Sequence, residues 1–162
     1  SKLSDMEKVD AAMLRARDFA KMQYDSVSNY MKSIGVNKPI HIGETGWASV
    51  SDGFYGKDGS KAADEYKQAL YHKHMREWTD AAGISLFYFE AFNEQWKDAE
   101  NPVGSENHFG LFGLKGEAKY ALWDMVDQGI FKNLTRDGNP IVKTHGGDSE
   151  ILFEEVLPPP TK

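Results

Sequence analysis

The chain has 162 residues, of which 40% are hydrophobic and 12% aromatic, enough for the core of one globular domain. A net charge of -6 argues against nucleic acid or an anionic membrane as the main partner, because either needs a concentrated basic face. The sequence contains no cysteine, which excludes disulfides and thiolate chemistry within it, and no apolar run long enough to suggest a membrane span.

Two helical patterns alternate with two apolar strands along the first 90 residues. Ser4–Glu7 has the spacing of a capping box, and the apolar periodicity that follows predicts a long helix that ends at Gly35. A strand is predicted over Ile40–Gly43, a second helix from Lys61 to about Ala82, and a second strand over Ile84–Phe89. The apolar face of the second helix is predicted to carry Ala63, Tyr66, Leu70, His74, Trp78 and Ala81. This order, with short connections, predicts a parallel α/β fold.

The pattern weakens in the second half of the chain. The polar segment Asn93–Gly116 is long for a structureless connection, which is typical of a functional loop. A third helix is predicted from about Glu117 to Gln128, and a short strand over Ile151–Phe153. We therefore assign residues 1–132 to one α/β unit and residues 133–162 to an irregular C-terminal extension.

Acidic and aromatic residues follow both predicted strands. Glu44 and Trp47 come after the first strand, and Gly43 and Gly46 around Glu44 are expected to let a ligand approach the backbone closely. Because the carboxyl ends of parallel strands meet at one edge of a sheet, we expect this cluster to lie beside the one that follows the second strand. The second cluster consists of Glu90, Phe92, Asn93, Glu94, Trp96 and Lys97.

Two groups of carboxylates with neighbouring aromatic rings favour glycoside hydrolysis. One carboxylate attacks or stabilises an oxocarbenium-like centre, another donates a proton, and the rings stack on sugar faces. A metal site is the competing use of clustered carboxylates. It is less well supported, because His72 and His74 diverge on a helix and His41 alternates with apolar residues on a strand. We predict no metal and no cofactor.

Three segments in order resemble glycoside hydrolase family 17, the β-1,3-glucanases and related β-glucan transglycosylases. Ile42–Ser49 is similar to the family's nucleophile strand, with Ala48 where proline is usual. Leu86–Lys97 resembles the bacterial version of its last barrel strand, and Asn107–Phe112 the loop before its last helix. The resemblance covers roughly residues 11 to 131 and identifies the C-terminal part of the catalytic domain.

The resemblance implies part of a TIM (β/α)₈ barrel that carries its last strands and helices, and a retaining mechanism with Glu44 as nucleophile. It also implies a β-1,3-glucan oligosaccharide or polysaccharide such as laminarin as substrate, and a secreted or periplasmic location. Glu94 and Lys97 match positions of the active-site network. The aromatic residues expected to contact sugar or form the cleft are Trp47, Tyr88 and Trp96.

The sequence departs from the family in its extent. A complete barrel needs about 250 residues, only two barrel strands are recognisable, and the segment that carries the family's general acid/base has no match. Two alternatives therefore stay open. One is a non-catalytic barrel fragment that binds glucan or self-associates, inactive without an N-terminal part, with copies of itself or that part as partner. The other is another glycosidase family with the same barrel.

Overall fold

Four helices and six short strands follow one another in a computed structural model that describes residues 4–160. Within that range, no helix is long and apolar enough to cross a membrane. Single 3₁₀ turns lie at Ser105–Asn107, Tyr120–Leu122 and Thr144–Gly147. The main elements are α1 Asp5–Ser33, β1 Ile42–Thr45, α2 Glu65–Ala82, β2 Leu86–Tyr88, β3 Glu117–Ala118, α3 Trp123–Asp127, β4 Thr135–Arg136, β5 Asn139–Pro140, β6 Val142–Lys143 and α4 Ser149–Glu154.

The ends of α1 and α2 follow local capping chemistry. Ser4 N donates to Glu7 Oε2 at 2.7 Å and Glu7 N donates to Ser4 Oγ at 3.2 Å, which confirms the predicted capping box. α2 begins after Asp64, whose side chain accepts from the Lys67 backbone, so the helix starts four residues later than predicted. It ends at Gly83, which has a φ of +64°.

The strands form three separate pairs. β1 and β2 run parallel, as the order of elements predicts, although β1 begins at Ile42 and extends through Thr45. β3 and β6 also pair in parallel, and β4 with β5 forms an antiparallel hairpin. None of the sheets between residues 4 and 160 closes on itself, so the architecture is consistent with part of a barrel.

The main core lies between α1, α2 and one face of the β1–β2 pair. Val9 and Met13 of α1 meet Tyr71 and Met75 of α2, and all four are at least nine-tenths buried. The buried residues of α2 are Lys67, Gln68, Ala69, Tyr71, Met75 and Thr79. The predicted apolar face of this helix is therefore displaced from the observed one, because α2 is covered on two sides.

Two sequence predictions in the second half are wrong. The third helix is only five residues long, since Glu117–Ala118 pairs with Val142–Lys143 as a strand and a 3₁₀ turn precedes α3. The predicted strand over Ile151–Phe153 is helical. Asp148 caps the first turn of α4 by accepting from Glu150 N at 2.9 Å, and Leu152 is buried.

Residues 133–160 pack against α2. Lys67 Nζ donates to Leu157 O at 2.6 Å, and Leu157 N donates to Asp64 Oδ2 at 3.1 Å. Leu152 is 2% exposed. The segment after residue 132 thus contains more regular structure than its sequence pattern suggests, and the division of the chain at that point stays a prediction.

Candidate active site

The carboxyl ends of β1 and β2 lie side by side. Thr45, the last residue of β1, pairs with Tyr88, the last residue of β2. One residue further along, Phe89 N donates to Thr45 O at 2.7 Å. The structure therefore holds the residues that follow the two strands at one edge of the sheet.

Gly46 makes this junction possible. A Cβ atom at this position would lie 1.8 Å from Phe89 O and 2.9 Å from the Phe89 carbonyl carbon. Any residue with a side chain would push the two strand ends apart. At Gly46 the space beside the backbone is thus occupied by the residue after β2, whereas the sequence analysis expected a ligand there.

Glu44 lies in an irregular step of β1. Ile42 and Thr45 are three residues apart, whereas their partners on β2 are two apart, so β1 contains one extra residue. Ile42 packs against the core, and Thr45 Oγ1 lies 2.9 Å from Tyr71 OH, so both face the helices. The bulge interrupts the regular alternation of side chains at Gly43 and Glu44.

The carboxylate of Glu44 is exposed and free to contact a ligand. The residue is exposed, and no side chain or backbone group within residues 4–160 forms a hydrogen bond or ion pair with its carboxylate. Glu44 also borders a groove of about 270 Å³ between β1 and the two long helices. A free carboxylate at the end of a parallel strand can serve as nucleophile or base towards a ligand.

Lys97 joins two carboxylates beyond the end of β2. Its Nζ lies 2.9 Å from Glu90 Oε2 and 3.0 Å from Glu94 Oε2, and 3.7 Å from the centre of the Phe89 ring. The side chain of Glu90 is 12% exposed, that of Lys97 15% and that of Glu94 37%. The cluster therefore places one cation between a sheltered carboxylate and an accessible one.

Burial and Lys97 set the protonation of this cluster. Burial raises the pKa of Glu90, although Lys97 opposes the effect. The hydrogen bond from Lys97 lowers the pKa of Glu94. Burial by itself would lower the pKa of Lys97, but its bonds to the two carboxylates outweigh this and raise it. As pH falls, Glu90 takes up a proton before Glu94 does.

The three aromatic residues expected in the cleft occupy different positions. Trp96 is 72% exposed, beside Lys97. Trp47 is half-buried, and its Nε1 donates to Ala62 O at 2.9 Å. Tyr88 packs edge-on against His72 of α2, where burial raises the pKa of its hydroxyl. Trp96 is thus open to a ligand, whereas the other two rings support the strand ends from the helix side.

Sequence reasoning missed two buried polar residues that join the loops at this edge. The Nε2 atom of Gln68, in α2, lies 2.9 Å from Trp47 O and 3.1 Å from Phe109 O. Lys119 is 4% exposed and contacts Ser49. Gln68 lies three residues before Tyr71, at the helical spacing of the buried face of α2, and this spacing could have identified it as buried. No sequence pattern indicates Lys119.

The chain belongs to a family of carbohydrate-cleaving enzymes, the glycosyl hydrolases of family 17, whose model matches residues 10–123. It superposes on the crystal structure of an endo-laminarinase from Formosa Hel1_33_131 with a TM-score of 0.97 and 61% sequence identity, covering 99% of this chain. This confirms the family resemblance of the sequence and supports the partial-barrel architecture.

Curated relatives carry related names. A glucan 1,3-beta-glucosidase of Arthroderma benhamiae is 31% identical over 113 residues, which are 62% of this chain. A glucan 1,3-beta-glucosidase of Saccharomyces cerevisiae is 34% identical over 84 residues, which are 50% of this chain. The aligned parts are 35% and 25% of those proteins, and 41% of the Formosa structure is covered.

Proposed function

We propose that this chain provides the nucleophile side of a retaining glycoside hydrolase that acts on β-1,3-glucan such as laminarin. The observation that carries the proposal is the bulged end of β1, which presents an unpaired Glu44 at the edge where Glu90, Lys97 and Glu94 also gather. The family match and the glucanase names of its relatives support β-1,3-glucan as the substrate class.

In this proposal Glu44 attacks the anomeric carbon and forms the glycosyl-enzyme intermediate, while the glycosidic bond breaks and its oxygen takes a proton from a second carboxyl. Water then hydrolyses the intermediate and returns the proton to that carboxyl. Attack needs the ionised carboxylate. Glu94, the accessible carboxylate of the cluster, is placed to accept hydrogen bonds from sugar hydroxyls. Trp96 offers an exposed ring face for stacking on a pyranose, while Trp47 and Tyr88 shape the wall behind the strand ends.

The proposal also requires a partner for the site. A retaining mechanism needs a second carboxyl about 5 Å from the nucleophile to act as acid and base, and Asn93-Glu94 matches the family's last strand instead. We propose that this carboxyl comes from further barrel strands that the 162 residues do not include. A polysaccharide substrate implies action outside the cytoplasm, in the medium or the periplasm.

Reconstitution tests the nucleophile. This chain is refolded alone and together with the part of the Formosa endo-laminarinase that it does not cover, and laminarin turnover is measured in both. We expect turnover in the reconstituted assembly and about 10⁴-fold less or none in the chain alone, because removing one essential group of a catalytic unit costs most of the rate. Glu44→Gln is expected to abolish the turnover of the assembly.

A chemical signature separates loss of the nucleophile from loss of structure. In a Glu44→Ala assembly, azide should restore cleavage of a para-nitrophenyl β-laminaritrioside and yield the α-glycosyl azide, since azide attacks from the vacated side. Glu154→Gln is the matched control, because Glu154 is also an exposed glutamate but lies on α4. Turnover unchanged by Glu44→Gln, or a β-configured azide product, would reject Glu44 as nucleophile.

A further inference from the structure

Lys119 donates hydrogen bonds to three oxygens at the edge of the fold that carries the site. Its Nζ lies 2.7 Å from Ser49 Oγ, 2.9 Å from Asn93 Oδ1 and 3.4 Å from His108 O. An ammonium group has three N–H donors, so these contacts can use all of them. No carboxylate within residues 4–160 lies at ion-pairing distance from Lys119.

The three acceptors come from three different loops. Ser49 follows β1 and the bulge with Glu44, Asn93 follows β2 and precedes Glu94, and His108 belongs to the loop after the first 3₁₀ turn. Ser49 N also donates to His108 O at 3.0 Å. Lys119 therefore lies where both strand-end segments and the third loop meet.

One assignment of donors and acceptors fits the hydrogen bonds of Asn93 and His108 beside Lys119. The Asn93 amide oxygen accepts from Lys119, which leaves its Nδ2 to donate towards His108 Nδ1 at 3.4 Å. His108 Nε2 can then donate to Pro102 O at 2.9 Å. Burial lowers the pKa of His108, which favours this neutral form of the ring. Each donor in the network thus has an acceptor.

We propose that Lys119 is a positioning residue that fixes the segment carrying Glu44 relative to the segment carrying Glu94 and Lys97. The expected effect of Lys119 on turnover rests on the proposed function, whereas its expected effect on the rigidity of the two segments does not. The proposal assigns a purpose to a cation that is expensive to bury. Three acceptors from three loops lie around one nitrogen, and lysine is the side chain that offers three N–H donors on a single atom.

Replacement and chemical restoration of the ammonium test the proposal. Lys119→Met removes the donors at similar length. Lys119→Cys, alkylated with 2-bromoethylamine in the unfolded chain and then refolded, restores an ammonium at the same distance from the backbone. The chain has no other cysteine, so alkylation is confined to this position. Alkylation with iodoacetamide gives a matched uncharged product, and Lys115→Cys, at an exposed lysine four residues away, controls for the chemistry.

Two readouts are compared. In the 162-residue chain, hydrogen exchange at the Ser49 and Asn93 amides should accelerate in Lys119→Met, while exchange in the centre of α2 stays within about twofold. In the reconstituted assembly kcat should fall ~10- to 100-fold with KM changed less than about threefold, because misplaced groups reduce the rate more than binding. Aminoethylation should restore both readouts, and iodoacetamide should restore neither.

The outcomes separate this proposal from the proposed function. An assembly without laminarin turnover contradicts the proposed function, and local hydrogen exchange then decides the role of Lys119 alone. Unchanged exchange at Ser49 and Asn93 in Lys119→Met would overturn the positioning role. So would equal acceleration throughout α2, or a kcat that the carboxamidomethyl product restores as well as the aminoethyl product, since either marks a general packing effect.

Discussion

The two faces of the β1–β2 pair differ sharply in how they are covered. On the helix side, Met13 and Met75 are 2% and 1% exposed, and they pack with the strand residues around them. On the other side, Phe87 is 68% exposed and packs edge-on against His41, which is also exposed, at 4.4 Å between ring centres. One face of the pair is thus buried in a packed core, whereas the other exposes a phenylalanine to solvent.

The helix α1 likewise has one buried face and one face with exposed apolar residues. Its inner face holds Val9 and Met13 against α2, while the residues next to that face are open to solvent. In a complete (β/α)₈ barrel the strand faces opposite the helices meet at the centre and neighbouring helices pack side by side, so we expect both surfaces to be covered there. The exposed apolar residues of α1 are Phe19, Met22, Val27, Tyr30 and Ile34.

Truncation of one methionine on each side should show the largest difference. Met75→Ala opens a cavity in the core between α1 and α2 and should lower the free energy of unfolding by about 3 kcal/mol. Met22→Ala, on the open surface of α1, should change it by less than about 0.5 kcal/mol. Urea titration followed by circular dichroism measures both. Equal losses would mean that the outer face of α1 is as well packed in solution as the core.

The pH dependence of stability should reveal the buried ammonium of Lys119. Burial lowers the pKa of Lys119 to about 8, with Glu65 and Glu90 opposing the effect. Between pH 8 and about 10.5 the unfolded chain keeps this proton while the folded chain releases it, so the contribution of Lys119 to stability increases as pH rises. It is smallest below pH 8, where the buried group is charged.

A comparison with Lys119→Met isolates this contribution from the other groups that titrate. The difference in unfolding free energy, parent minus variant, should increase by up to about 3 kcal/mol from pH 8 to pH 10.5. Urea unfolding at several pH values measures it, with Lys115→Met as the control at an exposed lysine. A flat difference for Lys119→Met would show that the ammonium is hydrated in the folded chain.

The sequence revealed those features that depend on neighbouring residues. The capping box at Ser4 and the stop at Gly83 are local, and both appear as predicted. The strand that ends near Glu44 was recognisable from its apolar run and the glycines beside it. The parallel pairing with β2 follows from the order of the elements, since short helical connections favour it.

Other features depend on contacts between distant residues. The segment at Glu117 has a helical pattern, but pairing with Val142 makes it a strand. The bulge that contains Glu44 is defined only by the register of β1 against β2. Lys119 reads as an ordinary solvated lysine, because its three acceptors come from positions 49, 93 and 108. Contacts between residues far apart in the sequence decide the local structure at these positions, and local propensity does not predict such contacts.

The smallest effect on stability is expected on the uncovered face of the sheet. Phe87→Thr removes an exposed ring and keeps a β-branched residue in β2, so the unfolding free energy should change by less than about 0.5 kcal/mol. The variant should nevertheless self-associate less than the parent chain in light scattering at micromolar concentration, because the apolar face that favours association is reduced.

The same substitution should be damaging in the reconstituted assembly, where we expect this face to be covered. Loss of the buried ring would then cost about 3 kcal/mol of assembly stability and lower laminarin turnover at limiting concentrations of the two parts. Phe54→Thr is the matched control, because Phe54 is 75% exposed on the loop between β1 and α2, away from the strand face. If both variants weakened the assembly equally, or neither did, the open face of β2 would not be the surface that the remaining barrel covers.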